Sequence, residues 1–395
     1  MKILHTSDWH LGQKFMGKSR EEEHQAFLSW LVEQIITIKV DLLIVAGDIF
    51  DTGTPPNYAL ELYYRFLTQL LNTQCKTIII LGGNHDSVST LQTSSPLLKA
   101  LNIYVVARGD QSEQRVIECY KDEKLQAVVC AVPFLRDSVV RKSISGESSK
   151  EREKSLQSGI EAYYREIHQE ALTLIGDKKI PIISTGHLTT VGGKSSDSER
   201  DLYIGNSSNI PSDFLSELFD YVALGHLHHA QKISSEYVRY SGSPIPLSFS
   251  EAKREKSVTL ISFKGEEPTV ELLPIPLHRP LYRLKGDKKS LKRQLEAIEE
   301  KHGWIEIEVK DENSHATLQA IQEYADELGL TILTKKVTQT EASAHQEEMQ
   351  MGSLEDVTPY EVFERRLELE GMEDEELKKA LRTLFKDIEN EVSTS

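Results

Sequence analysis

The sequence predicts an α/β protein: a four-layer α/β/β/α sandwich, a smaller α/β domain after it, and a pair of helices at the C-terminal end. Three observations predict this. Short β-rich runs alternate with helical patterns over residues 2–86, and such alternation with short connections builds a mostly parallel sheet. A second series of β-rich runs follows between 126 and 273, enough to form a second sheet packed on the first. Prolines clustered at 274–280 then mark a boundary, beyond which strand and helix patterns resume.

Taken in order, residues 2–7 read as a strand, and 21–38 carry Phe27, Trp30, Leu31 and Ile35 at helical spacing. Residues 41–48 are a buried strand running into a glycine turn. Pro55 and Pro56 open a helix that contains Leu60, Tyr64, Leu67 and Leu71, and 76–86 is again a strand ending in a glycine turn. Later strands are expected at 126–132, 181–185, 220–224, 237–240, 257–263 and 268–273. The segment 136–154 between them is polar and mixed in charge, and reads as a solvated loop and helix start. Its Arg136, Arg141, Lys142, Lys150, Arg152 and Lys154 are candidate phosphate contacts.

Beyond the prolines come an extended run (281–285), a helix (288–301), a strand (304–310), a helix (314–327) and a strand (330–337). A linker rich in Glu, Gln and Ser covers about 338–356. Thr358-Pro359-Tyr360-Glu361 then has the form of a capped helix start, Gly371 suits that helix's end, and Leu377, Leu381, Leu384, Phe385 and Ile388 form the stripe of a second helix. The expected domains are 1–276, 277–338 and 339–395.

Composition narrows the class. The 395 residues are 39% hydrophobic and 27% charged, as in a globular protein of two or three domains. No apolar run approaches the ~18 residues needed to span a bilayer, and the N-terminal residues lack a signal peptide's apolar stretch. The expected location is the cytoplasm, with no membrane partner. Cys75, Cys119 and Cys130 show no metal or redox spacing and are expected to be reduced core residues. The net charge of −16 argues at first against a polyanionic substrate. But 16 acidic and 6 basic residues fall from 341 onward, leaving 46 acidic against 40 basic before it. The body is close to neutral, so the charge does not exclude DNA.

The chemistry lies in five short motifs. Asp8-x-His10 closes the first strand, Gly47-Asp48-x-x-Asp51 the second and Gly83-Asn84-His85-Asp86 the third. Gly186-His187 and Gly225-His226-x-His228 close two strands of the later series. All sit at predicted carboxyl ends of strands, where ligand sites gather in open α/β sheets. Carboxylate, amide oxygen and imidazole without thiolate suit Mn²⁺, Fe²⁺, Zn²⁺ or Co²⁺. A pair of ions needs one bridging carboxylate, and the central Asp48 is the candidate. Any one motif alone is an ordinary turn or a surface cluster; the conjunction of five points to a two-metal phosphoesterase. His5 should point away from Asp8 and reads as a core histidine. His24 reads as solvated or packed, and His229 as exposed.

In this order the five motifs resemble those of the calcineurin-like metallophosphoesterases. HTSDWHLGQ, EEEHQAFLSWL, VAGDIFDTGTPP, GNHDS, STGHLTTVG, ALGHLHHAQ and YSGSPIPLSF are similar, within that family, to bacterial DNA-nuclease subunits that act with an SMC-like ATPase. The resemblance implies one metal held by Asp8, His10, Asp48 and His228, and another by Asp48, Asn84, His187 and His226. It implies that His85 stabilises the transition state or protonates the departing 3′ oxygen, with Asp86 supporting from behind. Some relatives carry His where this chain has Asp51, which leaves Asp51 as either a turn-capping carboxylate or a secondary catalytic contact.

The same resemblance implies a Mn²⁺-dependent, ATP-dependent 3′→5′ double-strand exonuclease and single-strand endonuclease that opens hairpins and processes DNA ends. Its roles would lie in DNA replication, recombination and repair, near the nucleoid. The domain at 277–338 would be a capping domain that contacts DNA, with Arg279, Arg283, Lys285, Lys288, Lys289, Lys292 and Arg293 near its start. The C-terminal helices would bind the ATPase partner; this chain has no P-loop of its own. A homodimer is expected through the helix after Pro56 and the region near Leu97–Leu101, with Tyr63, Phe66 and Leu67 as candidate contacts or core residues. The alternative is a small-molecule phosphodiesterase acting on cyclic nucleotides or similar esters, which needs only the metal core.

Overall fold

The computed structural model describes residues 1–110, 115–142, 147–196, 198, 199, 210–263, 268–310, 314–337, 381, 382 and 385. The chain starts with β1 (Lys2–Thr6), the small hairpin β2 (Lys14–Phe15) and β3 (Lys18–Ser19), and α1 (Glu21–Ile38). Next come β4 (Leu42–Val45), α2 (Asn57–Leu70), β5 (Thr77–Leu81), α3 (Val88–Gln92), α4 (Ser95–Lys99) and β6 (Ile103–Val106). The second half begins with β7 (Val116–Lys121), β8 (Lys124–Cys130), α5 (Asp137–Val140), α6 (Ser149–Ile175), β9 (Ile182–His187), α7 (Asp213–Leu218) and β10 (Tyr221–Gly225). It continues with β11 (Gln231–Ile233), β12 (Ser235–Tyr240), β13 (Ser257–Phe263) and β14 (Pro268–Pro274). Last come β15 (Leu281–Gly286), α8 (Lys288–Glu296), β16 (Trp304–Val309), α9 (Ser314–Glu327) and β17 (Thr331–Val337).

Two six-stranded sheets form the body. Their orders are β14-β13-β1-β4-β5-β6 and β11-β12-β10-β9-β8-β7. The pairs β1–β4, β4–β5 and β5–β6 are parallel, as are β8–β9, β9–β10 and β10–β12. Ile3, Leu42, Ile44 and Ile79 of the first sheet meet Ile183, Tyr221 and Ala223 of the second. On the far side of the first sheet, α1 and α2 cover Leu4, Leu43 and Val45; on the far side of the second, α6 and α7 cover Val128, Val222 and Leu224. This is the expected α/β/β/α order. The central strands are buried on both faces, which explains their unbroken apolar runs.

The long helix α6 goes beyond the sequence expectation. Ser148 and Glu151 cap its start reciprocally, and Leu156, Ile160, Tyr164, Ile167, Ala171 and Ile175 form one buried stripe. Each large aliphatic there contributes roughly 1.5–3 kcal/mol by burial. Two of the expected phosphate contacts nearby are occupied: Arg141 pairs with Asp137 and Glu147, and Arg152 with Asp137. Arg136, Lys142, Lys150 and Lys154 are exposed.

Tyr63, Phe66 and Leu67 are 1–2% exposed in the core under α2, so they are packing residues and not available to a second copy. The three cysteines are buried and free. Helix α8 ends at Glu296, before the expected 301, because the chain turns at Ala297 and buries Ile298.

The third sheet, β15-β16-β17, is parallel and carries α8 and α9 around its own core of Leu284, Leu291, Ile305, Ile307 and Ile321. It meets the body through Phe15, Phe249, Leu281 and Trp304. Trp304 stacks on Phe15 at 5.5 Å, with the guanidinium groups of Arg20 and Arg279 over its ring. The linker and C-terminal helices expected over 339–395 lie outside the described residues, apart from 381, 382 and 385. No helix among the described residues is long and apolar enough to cross a membrane.

Candidate metal centre

The loops after β1, β4, β5, β9 and β10 all open on one edge of the sandwich. The first two run side by side: Asp8 N–H donates to Gly47 O at 3.0 Å, His10 N–H to Asp48 O at 3.0 Å and Leu11 N–H to Ile49 O at 2.9 Å. Asp8, His10, Asp48 and His226 have φ of 53°, 47°, 50° and 99°. Such left-handed conformations cost about 1–3 kcal/mol each and persist only where surrounding bonds impose them. Gly47, with φ of 93°, lies so close to His187 that a side chain there would strike the imidazole, and one at Gly83 would strike Asp48.

Two groups of side chains result. Asp8, His10 and His228 bring their ligand atoms within 4.8 Å of one another, and so do Asp48, His187 and His226. Asp48 Oδ2 lies between the groups, 3.6 Å from His10 Nε2 and 3.3 Å from His187 Nε2. Asn84 Oδ1 joins the second group, 2.9 Å from His187 Nε2. All seven expected ligands therefore converge. His85 stands beside them, its ring 4.8 Å from that of His10, and its backbone N–H donates to Asp48 Oδ1 at 2.9 Å.

Each imidazole is aimed by a contact behind it. His187 Nδ1 donates to Ala46 O at 3.0 Å, which turns Nε2 toward Asp48 and Asn84. His10 Nδ1 lies 3.2 Å from Asp51 Oδ1, a carboxylate–histidine pair of the kind that orients metal ligands. His85 Nδ1 donates to Asp51 O at 2.8 Å. Asp51 thus supports two histidines and is more than a turn cap. Asp86 does not touch the His85 ring; its carboxylate accepts from Ile49, Phe50 and Gly83 N–H at 2.8–3.1 Å and ties two loops together. His5 is a core histidine, bonded to Tyr221 Oη and Leu224 O, and His24 is fully buried. His229 is half-buried.

Burial pushes the Asp8 carboxyl up to about 7. Burial opposes charge on Asp48 too, but the His187 imidazole beside it outweighs this and holds the carboxyl well below its usual range. Burial likewise lowers His187, and Asp48 overcomes it to raise the imidazole to about 9. His226 falls to about 3 and His228 falls well below its usual value, both mainly through burial.

The donor set fits divalent cations. His10 Nε2 is buried with no hydrogen-bond partner. With Nδ1–H on Ala46 O, His187 Nε2 faces Asn84 Oδ1 at 2.9 Å and Asp48 Oδ2 at 3.3 Å; without a metal a second ring proton sits between them, which is the charge that Asp48 favours, and a bound cation would take that proton's place. Nitrogen and oxygen ligands without sulfur match hard to borderline metals. Sequence reasoning missed Ser198, Glu199, Glu251 and Lys256, which gather behind His228 from distant parts of the chain.

A buried pair of imidazole–carboxylate groups at the strand ends of two packed sheets makes this a metal-dependent phosphoesterase by class. Residues 1–230 match the family described as calcineurin-like phosphoesterase, and 278–371 match one described as type 5 capsule protein repressor C-terminal domain. The SbcD subunit of nuclease SbcCD from Escherichia coli is 44% identical over 392 residues, covering 98% of this chain and 97% of that protein. Proteins of the same name from Rhodobacter capsulatus and Bacillus subtilis are 35% and 31% identical, over 72% and 78% of this chain and 71% and 79% of theirs. The chain belongs to the calcineurin-like phosphoesterases and, within them, to the SbcD family of nuclease subunits.

Proposed function

We propose that the chain is the nuclease subunit of an SbcCD-type complex, and that it cleaves DNA phosphodiesters with two divalent ions, Mn²⁺ by preference. The observation that carries this reading is the meeting of two ligand groups over Asp48 with His85 beside them. In this reading Asp8, His10, Asp48 and His228 hold one ion, and Asp48, Asn84, His187 and His226 the other. When bound, the ions would polarise the phosphate and activate water.

The protein's own groups do the rest. His10 and His187 are pre-aimed by Asp51 and Ala46, so neither needs to reorganise on binding. His85 is held through Nδ1, which leaves Nε2 as the atom that carries a proton to the departing 3′ oxygen. On the cap, Lys288, Lys289 and Arg293 are exposed and suit phosphate contacts. Arg283 and Lys285 are engaged with Glu306 and Glu308, and Arg279 with Glu22 and Glu23.

The finer reading follows the similarity to the SbcD proteins. The activities are 3′→5′ exonuclease on double-stranded ends and endonuclease on single strands and hairpins, in DNA replication, recombination and repair. ATP dependence comes through an SbcC-like, SMC-type ATPase bound by the C-terminal segment, and the complex works as a homodimer in the cytoplasm at the nucleoid. The test is His85→Ala in the purified chain with its partner. Mn²⁺-dependent hairpin cleavage should fall about 10²–10⁴-fold with metal content unchanged. Unchanged cleavage, or faster turnover of cyclic nucleotides than of hairpin DNA by the wild type, would overturn it.

A further inference from the structure

Behind His228 runs a buried polar chain that the mechanism above does not use. His228 Nδ1 lies 2.7 Å from Ser198 Oγ, and Ser198 Oγ lies 2.6 Å from Glu251 Oε1. Glu251 is fully buried. Its other oxygen takes a hydrogen bond from Lys256 Nζ at 2.5 Å and one from Leu247 N–H at 3.2 Å. Lys256, 6% exposed, also donates to Ser243 Oγ and to the His228 carbonyl. Glu199 Oε1 accepts the His228 backbone N–H at 2.8 Å. Residues 198 and 199 thus grip His228 by ring and backbone together.

The hydrogen count decides the ring's state. Glu251 Oε2 is in an ion pair with the Lys256 ammonium and accepts from Leu247 N–H, so Glu251 stands as a carboxylate with no hydrogen to give. Ser198 has one hydroxyl hydrogen and gives it to Glu251 at 2.6 Å, its shortest contact, while Ser196 Oγ, 2.8 Å from Ser198 Oγ, gives its own to Glu199 Oε2 at 2.7 Å. The Ser198 oxygen is left to accept, so the hydrogen between Ser198 and His228 belongs to Nδ1. The lone pair then sits on Nε2, the ring atom left for the group formed with Asp8 and His10. The arrangement is a carboxylate–hydroxyl–imidazole relay, one link longer than the direct carboxylate–imidazole pair of Asp51 and His10. It is also rigid: Glu251 ends the turn Phe249–Glu251, whose Phe249 is clamped between Phe15, Leu281 and Trp304.

We propose that Ser198 and Glu251 are positioning residues that lock His228 in the Nδ1–H tautomer and so present its Nε2 to a divalent cation. The proposal rests on the metal reading given above, and its test separates the two. The full-length chain, labelled with ¹⁵N-histidine and stripped of metal with a chelator, should show His228 as a single Nδ1–H tautomer. Ser198→Ala should lose that signature with the unfolding midpoint unchanged, and Ser198→Thr should restore it. Mn²⁺ titration by calorimetry should give two sites in the wild type. In Ser198→Ala one of them should weaken about 10–100-fold, as for other partners of metal-ligating histidines. A Ser198→Ala chain with unchanged tautomer and two unchanged sites would overturn the relay. A wild type that binds no Mn²⁺ would instead overturn the metal reading, and the tautomer measurement would still decide the role of Ser198. Glu251→Gln gives a second check on the same tautomer.

Discussion

Asp51 Oδ1 lies 3.2 Å from His10 Nδ1, and this is the contact that fixes which nitrogen of His10 faces the cluster. The residue has a second attachment of a different kind: its backbone carbonyl accepts from His85 Nδ1 at 2.8 Å. The carboxylate also lies within 4.8 Å of the His85 ring, but the hydrogen bond that holds His85 is to the Asp51 main chain and survives a side-chain substitution. Asp51→Asn should weaken Mn²⁺ binding about 10–100-fold while the cleavage rate at saturating Mn²⁺ stays within a few-fold of wild type. Cleavage measured across a Mn²⁺ titration distinguishes these. A rate that stays depressed at saturation would mean that the carboxylate acts in turnover itself.

Gly47 tests the geometry from the backbone. Its φ of 93° disfavours any side chain, and a methyl group there would meet the His187 ring. Gly47→Ala should destabilise the metal-free chain by about 2–4 kcal/mol, combining backbone strain with overpacking. It should also displace His187 from Asn84 and remove one Mn²⁺ site. Urea unfolding in a chelator, followed by calorimetric metal titration, reads both effects. Retention of two tight sites would show that His187 has room to move without leaving the cluster.

The sequence made the ligands legible because metal chemistry restricts residue type and the glycine turns betray the strand ends. Asp8, Asp48, Asn84, His187 and His226 could each be placed at the end of an apolar run. What lay behind them could not. Ser198 and Glu251 are 53 residues apart, and their meeting follows from packing, not from any local pattern. Asp86 sits in the motif, yet its role as a clamp on Ile49 and Phe50 depends on how two loops are stacked. The stripe of α6 was present at helical spacing from Leu156 to Ile175 but diluted by charged neighbours on its wet face. Tyr63 and Phe66 show the converse: their types suit an interface, and only the direction in which α2 faces the first sheet assigns them to the core.

Two buried histidines away from catalysis make stability depend on pH. Burial lowers His5 to about 3 and His24 to about 3, against about 6.5 in the unfolded chain. The unfolded state therefore binds more protons below neutrality, and stability falls as pH drops through 6.5 and continues to fall toward 3. Each histidine should cost about 1.4 kcal/mol between pH 7.5 and pH 5.5, about 3 kcal/mol for the two. Because His226, His228, His187 and Asp8 also contribute over this range, the His5 share is read as a difference: urea unfolding in a chelator at the two pH values, wild type against His5→Gln. The variant should lose about 1.4 kcal/mol of the pH dependence; an unchanged dependence would mean His5 is not held neutral in the fold.

The seat of the third sheet on the body is concentrated in one side chain. Trp304 is 5% exposed, stacks on Phe15, and lies under both Arg20 and Arg279. Arg20 is itself fully buried and donates to Glu23 and to Pro246 O, so the tryptophan also covers a buried charge. Removing the ring uncovers that guanidinium and opens a cavity. Trp304→Ala should cost about 3–5 kcal/mol, the usual range for losing a buried aromatic. Leu284, Ile305 and Ile307 form a core separate from this seam, so the small domain should stay folded while its attachment loosens. Limited proteolysis should then cut between β14 and β15, around 275–280, faster in the variant than in the wild type. Equal cleavage rates would show that the seam is held elsewhere, with the Arg279 pairs to Glu22 and Glu23 as the next contacts to remove.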